Sequence, residues 1–181
     1  VLLALELRYG RESLKERQPF KVSLILEVYG YVLKTWDYIF ALGIISLNYA
    51  MLVVYGLSSP FIIEHRFHLS PVTTGYCSLL SGLCFMAGGI ISKLLISRPF
   101  MKKVIYSILF QGLLTVIMIG LSAQFSNIYL LIGFTLGIHL LSGFSFNNVF
   151  AYCLARFTKN AGIASGVTGG GLYILTSVLS Y

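Results

Sequence analysis

Five stretches of this chain are apolar for about 20 residues each, the length at which a helix crosses a bilayer. They run over Tyr38–Leu57, Val72–Ser92, Val104–Ala123, Ile128–Ala155 and from Ala161 towards Tyr181. Inside hydrocarbon every backbone N–H and C=O has to be satisfied within the protein, and runs of this length satisfy that as helices. The expected fold is therefore an all-α membrane protein with five transmembrane helices. Composition agrees: only 10% of the 181 residues are charged, against roughly 25% in soluble domains.

The remaining segments carry the charge. Val1–Leu7 reads as the end of a preceding membrane helix, an N-terminal stub. Residues 8–37 form a polar, basic connection in which Phe20, Leu24, Ile25, Val28 and Val32 recur at helical spacing. That pattern fits a helix lying in the membrane interface, or a solvated linker with some helicity. Residues 38–181 make the membrane bundle. The chain opens at Val1 and closes at Tyr181 within apolar stretches, with no signal-peptide pattern, so the expectation is a piece of a larger membrane protein. A net charge of +7 would suggest nucleic acid in a soluble protein. Here the cations flank spans, the pattern of topology signals, and no nucleic-acid partner is expected. Placing Arg8–Lys34 in the cytoplasm puts the Lys93–Lys103 and Arg156–Lys159 loops there too, leaving Arg66 alone outside. The expected placement is multi-pass in a membrane. Trp36, Tyr38, Tyr129 and Tyr152 sit near run ends, where amphipathic rings favour the interface.

Small and polar residues mark helix faces that meet protein, since small side chains let backbones approach and polar ones seek partners. Gly75, Ser78, Gly82, Phe85, Gly89 and Ser92 form one such stripe. Gly162, Gly166, Gly169, Gly170, Tyr173 and Ser177 form a second. Gly82, Gly89, Gly166, Gly169 and Gly170 are the packing or hinge candidates, and the run Gly169–Gly171 weakens its helix enough to suggest a bend. In the fourth span Thr135, His139, Gly143 and Asn147 follow at four-residue steps. His139 is the one strongly ionisable side chain well inside a span. Such a group faces a cavity or a partner, so it reads either as a substrate or proton contact or as a neutral histidine bonded to a neighbouring helix. Asn48, Tyr55 and Ser59 make a shorter polar face on the first span. Asp37, at the edge of that span near Lys34, reads as a surface charge or helix N-terminal acid. Cys77, Cys84 and Cys153 read as packing residues.

Several chemistries lack their residues. All six carboxylate side chains precede His65, which removes paired-carboxylate catalysis from most of the chain. The HExxH, P-loop, Cys-x-x-Cys and GxSxG patterns are absent, so neither an enzyme nor a cofactor is expected. His65-x-x-His68 offers two ligands, too few for a structural zinc site.

Three segments together resemble one family. Ser58-Ser59-Pro60-Phe61, a spacer, Leu69-Ser70-Pro71 and then Gly75 resemble the seventh-to-eighth helix region of the major facilitator superfamily, nearest its Bcr/CflA drug-efflux group. Arg11-Glu12-Ser13-Leu14 with Glu16-Arg17-Gln18-Pro19 is similar to that group's central loop. Leu154-Ala155 and Ala161-Gly162-Ile163-Ala164-Ser165-Gly166 are similar to its entry into the eleventh helix. The chain departs where the group has Pro-Asn in the tenth helix, carrying Asn147-Asn148, and it lacks the acidic residue of the loop before Lys102. The resemblance implies helices seven to eleven of a twelve-helix, proton-coupled exporter of drug-like small molecules, a partial C-terminal bundle. Its partners would be the lipid bilayer, the substrate, protons and the N-terminal half. Asn48, Tyr55, His139 and Asn147 are the cavity candidates. The rivals are a sugar or metabolite carrier of the same superfamily, a non-transporting scaffold or gene remnant, and an intramembrane enzyme that would need a catalytic pair.

Overall fold

The computed structural model of the protein describes Arg8 and residues 22–181. The Val1–Leu7 stub and the Arg11–Pro19 motif lie outside the described residues. Six helices follow in order: α1 (Val22–Lys34), α2 (Trp36–Pro60), α3 (Pro71–Leu94), α4 (Phe100–Gln124), α5 (Ile128–Ala155) and α6 (Ala161–Ser180). The last five are long and apolar enough to cross a membrane, and each overlaps an expected span. Among the described residues there is no strand.

Helix ends follow local chemistry. Ser70 caps α3 by accepting the Thr73 N–H, with Pro71 in the first turn where its missing N–H costs nothing. Asn127 caps α5 through the Tyr129 N–H at 2.9 Å. Helix α2 continues past the expected end of its span at Leu57 to Pro60. The helix runs through it into a π-helical turn, Phe61–Arg66, whose wider register is seen in the Phe67 N–H bonding Ile62 O at 3.2 Å. A proline has no N–H to lose a bond from, and an i→i+5 register after it lets the chain continue. The connection closes at His68, whose φ of 53° lies in the left-handed region.

Helix α5 is the hub, packing against α2, α3, α4 and α6, while α2 also packs on α6 and α1 bridges α2 and α6. The tightest crossing is α3 on α5. A Cβ on Gly88 would overlap the Leu140 carbonyl and come within 2.7 Å of the Phe144 nitrogen. One on Gly143 would overlap the Phe85 carbonyl. Each glycine thus admits the other helix's backbone, as small residues do at membrane helix interfaces. A second close approach puts Gly171 of α6 against Leu42, whose Cδ2 lies 2.8 Å from a Cβ added there. Around these crossings a core of Val32, Tyr38, Leu42, Ile45, Val149 and Ala164 joins α1, α2, α5 and α6.

The contact stripes differ from those expected. On α3 the buried line is Thr74, Cys77, Ser81, Gly88 and Ser92, and Gly75, Ser78 and Gly82 are exposed. On α6 it is Ala164, Val167, Thr168, Leu172 and Thr176, whereas Gly82, Gly169 and Gly170 have open space where a side chain would go. Gly89 meets only the Asn147 side chain and Gly166 only the Tyr29 hydroxyl. On α6 the buried stripe lies about one residue, roughly 100°, from the expected one. On α3 the shift holds for Gly75, Ser78 and Gly82, while Phe85, Gly89 and Ser92 of the expected stripe do meet α5 or are buried. Helix α6 runs through Gly169–Gly171 without a break in its helical assignment. Tyr38 is another correction: it is fully buried, and its hydroxyl pairs with Thr168 Oγ1 at 2.8 Å. Trp36 and Tyr129 are the exposed rings at span ends.

Charge sorts to one end. Asp37, beside Lys34 in sequence, pairs with Arg156 at 2.8 Å and accepts the Tyr152 hydroxyl at 2.6 Å, fastening the start of α2 to the end of α5. Tyr152 in turn shares a pocket with Lys93, Arg98 and Lys103. The cations of three separate connections therefore occupy the same end of the bundle, away from Arg66.

Gly88→Leu and Gly143→Leu are expected to cost about 3 kcal/mol or more each, the upper range of overpacking because backbone rather than side chain is struck. Gly82→Ala is expected to be neutral or to stabilise by up to about 1 kcal/mol. Thermal unfolding of the purified variants in detergent measures both.

Candidate functional site

A groove runs between α2, α4 and α5. One part, of about 390 Å³, is walled by Val54, Tyr55, Met118, Thr135 and His139. A second, of about 400 Å³, is walled by Ile44, Asn48, Ile108, Gln111 and Gly112. Leu47, Met51 and Thr115 border both parts, making them continuous. Apolar side chains make most of the wall, and a few polar groups punctuate it, the usual composition of a small-molecule site.

Three of the four expected cavity residues meet here. His139 is 2% exposed, with its ring edge-on to Tyr55 at 5.1 Å. Its Nδ1 and Asn48 Oδ1 are buried with no hydrogen-bond partner among the described residues. The Asn48 amide Nδ2 does have one, Ile44 O at 2.8 Å. The Tyr55 hydroxyl groups instead with the buried hydroxyls of Ser59 on α2 and Ser81 on α3. An unpaired polar atom in an apolar surrounding costs about 1–3 kcal/mol, so the His139 and Asn48 atoms are a cost that packing alone does not explain.

Asn147 is not part of this groove. It is exposed, donates to Gly89 O at 3.1 Å, and lines separate pockets between α3 and α5. The reason is angular. Four-residue steps advance about 400°, drifting about 40° each time. Thr135 and His139 thus reach the groove, Gly143 turns to Phe85, and Asn147 turns further onto α3. Its neighbour Asn148 is buried, with Nδ2 on Phe144 O at 2.8 Å.

Polar pairs that single-helix reasoning had no means to identify hold α4 to α5. Gln111, 4% exposed, donates to Ser142 Oγ at 2.8 Å and also contacts Met51 Sδ, while Ser107 and Ser145 share a hydrogen bond. A lone glutamine in mid-span was the available signal, since an amide in hydrocarbon needs a partner. On another side of the bundle four rings form a band across four helices. Tyr173 of α6 meets Tyr49 of α2 at 6.2 Å, Tyr49 meets Phe146 of α5 at 6.0 Å, and Phe146 meets Phe85 of α3 at 5.6 Å.

The His65–His68 segment holds no assembled centre. His65 is exposed and stacks on Phe61 at 5.9 Å, and His68 is exposed. Among the described residues no three His, Cys, Asp or Glu side chains come together as metal ligands. Cys77, Cys84 and Cys153 are free thiols.

Replacing Gln111 and Ser142 by Ala, singly and together, is expected to give a coupling energy of about 0.6 kcal/mol and no more than about 1.7, the range for hydrogen bonds between membrane helices. A double-mutant cycle on unfolding in micelles measures it. Compared with protein-family models, with curated proteins and with solved structures, the chain matches none of them.

Proposed function

We propose that this chain is one helical bundle of a secondary transporter, a proton-coupled exporter of drug-like small molecules of the major facilitator type, working by alternating access in a bacterial inner membrane. The observation that carries the reading is two buried polar atoms, on side chains that line the groove, left without a partner among the described residues: His139 Nδ1 and Asn48 Oδ1. Polar groups at membrane depth mark substrate and ion pathways, because hydrocarbon penalises them unless they serve a cavity or a partner. Imidazole is also the side chain best suited to exchange a proton near neutral pH.

Two further features support it. The exposed glycine and serine faces of α3 (Gly75, Ser78, Gly82) and α6 (Gly162, Gly166, Gly170) suit close approach by other helices, which rocking of one bundle against another requires. The band of Tyr49, Phe85, Phe146 and Tyr173 gives an apolar, π-rich surface for flat or cationic organic molecules. By the positive-inside rule the end with Lys93, Arg98, Lys103 and Arg156 faces the cytoplasm. The carboxylates that carry protons on this reading belong to the other bundle, as no Asp or Glu lies at depth in α3–α6.

The test is His139→Ala and His139→Gln in the full-length transporter, assayed by efflux of a lipophilic cationic dye between pH 6 and 8. Loss of one hydrogen bond to the transported molecule predicts a fall of about two- to tenfold for Ala, and His139→Gln is expected to flatten the pH dependence. Efflux equal to the parent in both variants would make His139 a packing residue and remove the support for this reading. Competition by sugars or metabolites instead of dyes would favour a substrate-specific carrier.

A further inference from the structure

The basic end of the bundle is more than a charged surface. A pocket of about 580 Å³ lies between the end of α3, the start of α4 and the end of α5, lined by Ser92, Lys93, Arg98, Lys103, Asn147 and Asn148 among others. Lys93 is in the last turn of α3, Arg98 is in the connection, and Lys103 is in the first turn of α4. Three cations from one short sequence are thus folded around a common space. Each lies where a span meets the headgroup layer.

Among the described residues none of the three cations has an ion-pair partner, since the one ion pair there joins Arg156 to Asp37. No Asp or Glu follows Glu64 in the sequence. The start of α4 adds to the positive field, because its N-cap is Pro99 and no side chain caps its first-turn amides. Asn148 and Ser92, both buried, and Asn147 add neutral polar groups to the wall. Apolar residues, Ile96, Phe100 and Ala151, line the pocket between these groups. Topology signalling explains why cations gather at this end. It does not require them to surround a cavity whose lining mixes polar groups with hydrocarbon.

We propose that this pocket is a binding site for the phosphate of an anionic phospholipid headgroup, with the lipid's chains lying against Ile96, Phe100 and Ala151. Guanidinium and ammonium groups with uncapped helix amides are the donors phosphate needs, and basic pockets between membrane helices are where anionic headgroups bind. The inference does not depend on the transport reading.

Native mass spectrometry of the intact chain released from detergent micelles tests it, with phosphatidylglycerol titrated against phosphatidylcholine as the neutral control. One or two phosphatidylglycerol molecules are expected to stay bound at concentrations where phosphatidylcholine is lost. Lys93→Gln, Arg98→Gln and Lys103→Gln are each expected to weaken retention about fivefold. Lys102→Gln, exposed and outside the pocket, should change it less than twofold. Lys103→Arg should restore binding, and far-ultraviolet circular dichroism checks that each variant keeps its helices. Equal loss in Lys102→Gln would overturn the site in favour of a diffuse surface field. Equal retention of phosphatidylcholine would overturn the headgroup assignment, and so would displacement of the lipid by inorganic phosphate at 10 mM or about that concentration.

Discussion

The crossing of α3 and α5 at Gly88 and Gly143 sets the rest of the bundle. Lipid tails are as apolar as leucine, so helices in a membrane gain little from hiding apolar surface and depend on close packing. Here two hydrogens face two carbonyls, and no larger side chain fits either place. That approach fixes the rotation of α5, and α5 touches α2, α3, α4 and α6. Once its rotation is set, Ser142 and Ser145 point at Gln111 and Ser107 of α4, and Val149 and Cys153 enter the core shared with Tyr38 and Ile45. Asn147 is turned away from His139 by the same constraint.

Polar groups in this bundle fall into two kinds. One kind is spent on structure: Tyr38 with Thr168 ties α2 to α6, Gln111 with Ser142 ties α4 to α5, and Asp37 with Arg156 and Tyr152 ties α2 to α5 at the basic end. The other kind, Asn48 Oδ1 and His139 Nδ1, has no partner among the described residues. The first kind compensates its own desolvation. The second does not, and its two members sit on α2 and α5, the two central helices. Pro60 and the π-helical turn beyond it carry α2 past Ser59 without a break, so Glu64 reaches Thr74 of α3 at 3.0 Å.

The candidate site was partly legible one helix at a time. His139 and Tyr55 stood out because each is an unusual residue within an apolar run, a property of sequence alone. Asn147 was grouped with His139 because four-residue steps approximate a helix face; the drift of about 40° per step defeats that grouping over two turns. Gln111 became visible only as half of a pair. Gly88 and Gly171, each adjacent to a glycine singled out as a contact, turned out to be the ones that touch. In glycine-rich helices several stripes are equally small, and sequence offers no way to rank them.

By itself the sequence determined which segments become helices, most of their ends apart from that at Pro60, and which connections share a charge. These follow from the length of apolar runs, from caps such as Ser70 with Pro71, and from the positions of Lys and Arg, all local quantities that hydrocarbon and water read one segment at a time. Only the tertiary structure decided which face of each helix is inside. That choice depends on the shape presented by a partner far away in the chain: whether Phe85 O meets Gly143 or a side chain, whether Leu42 meets Gly171 or Gly170. Close contact falls off over fractions of an ångström, and such a fit exists only when both surfaces are present.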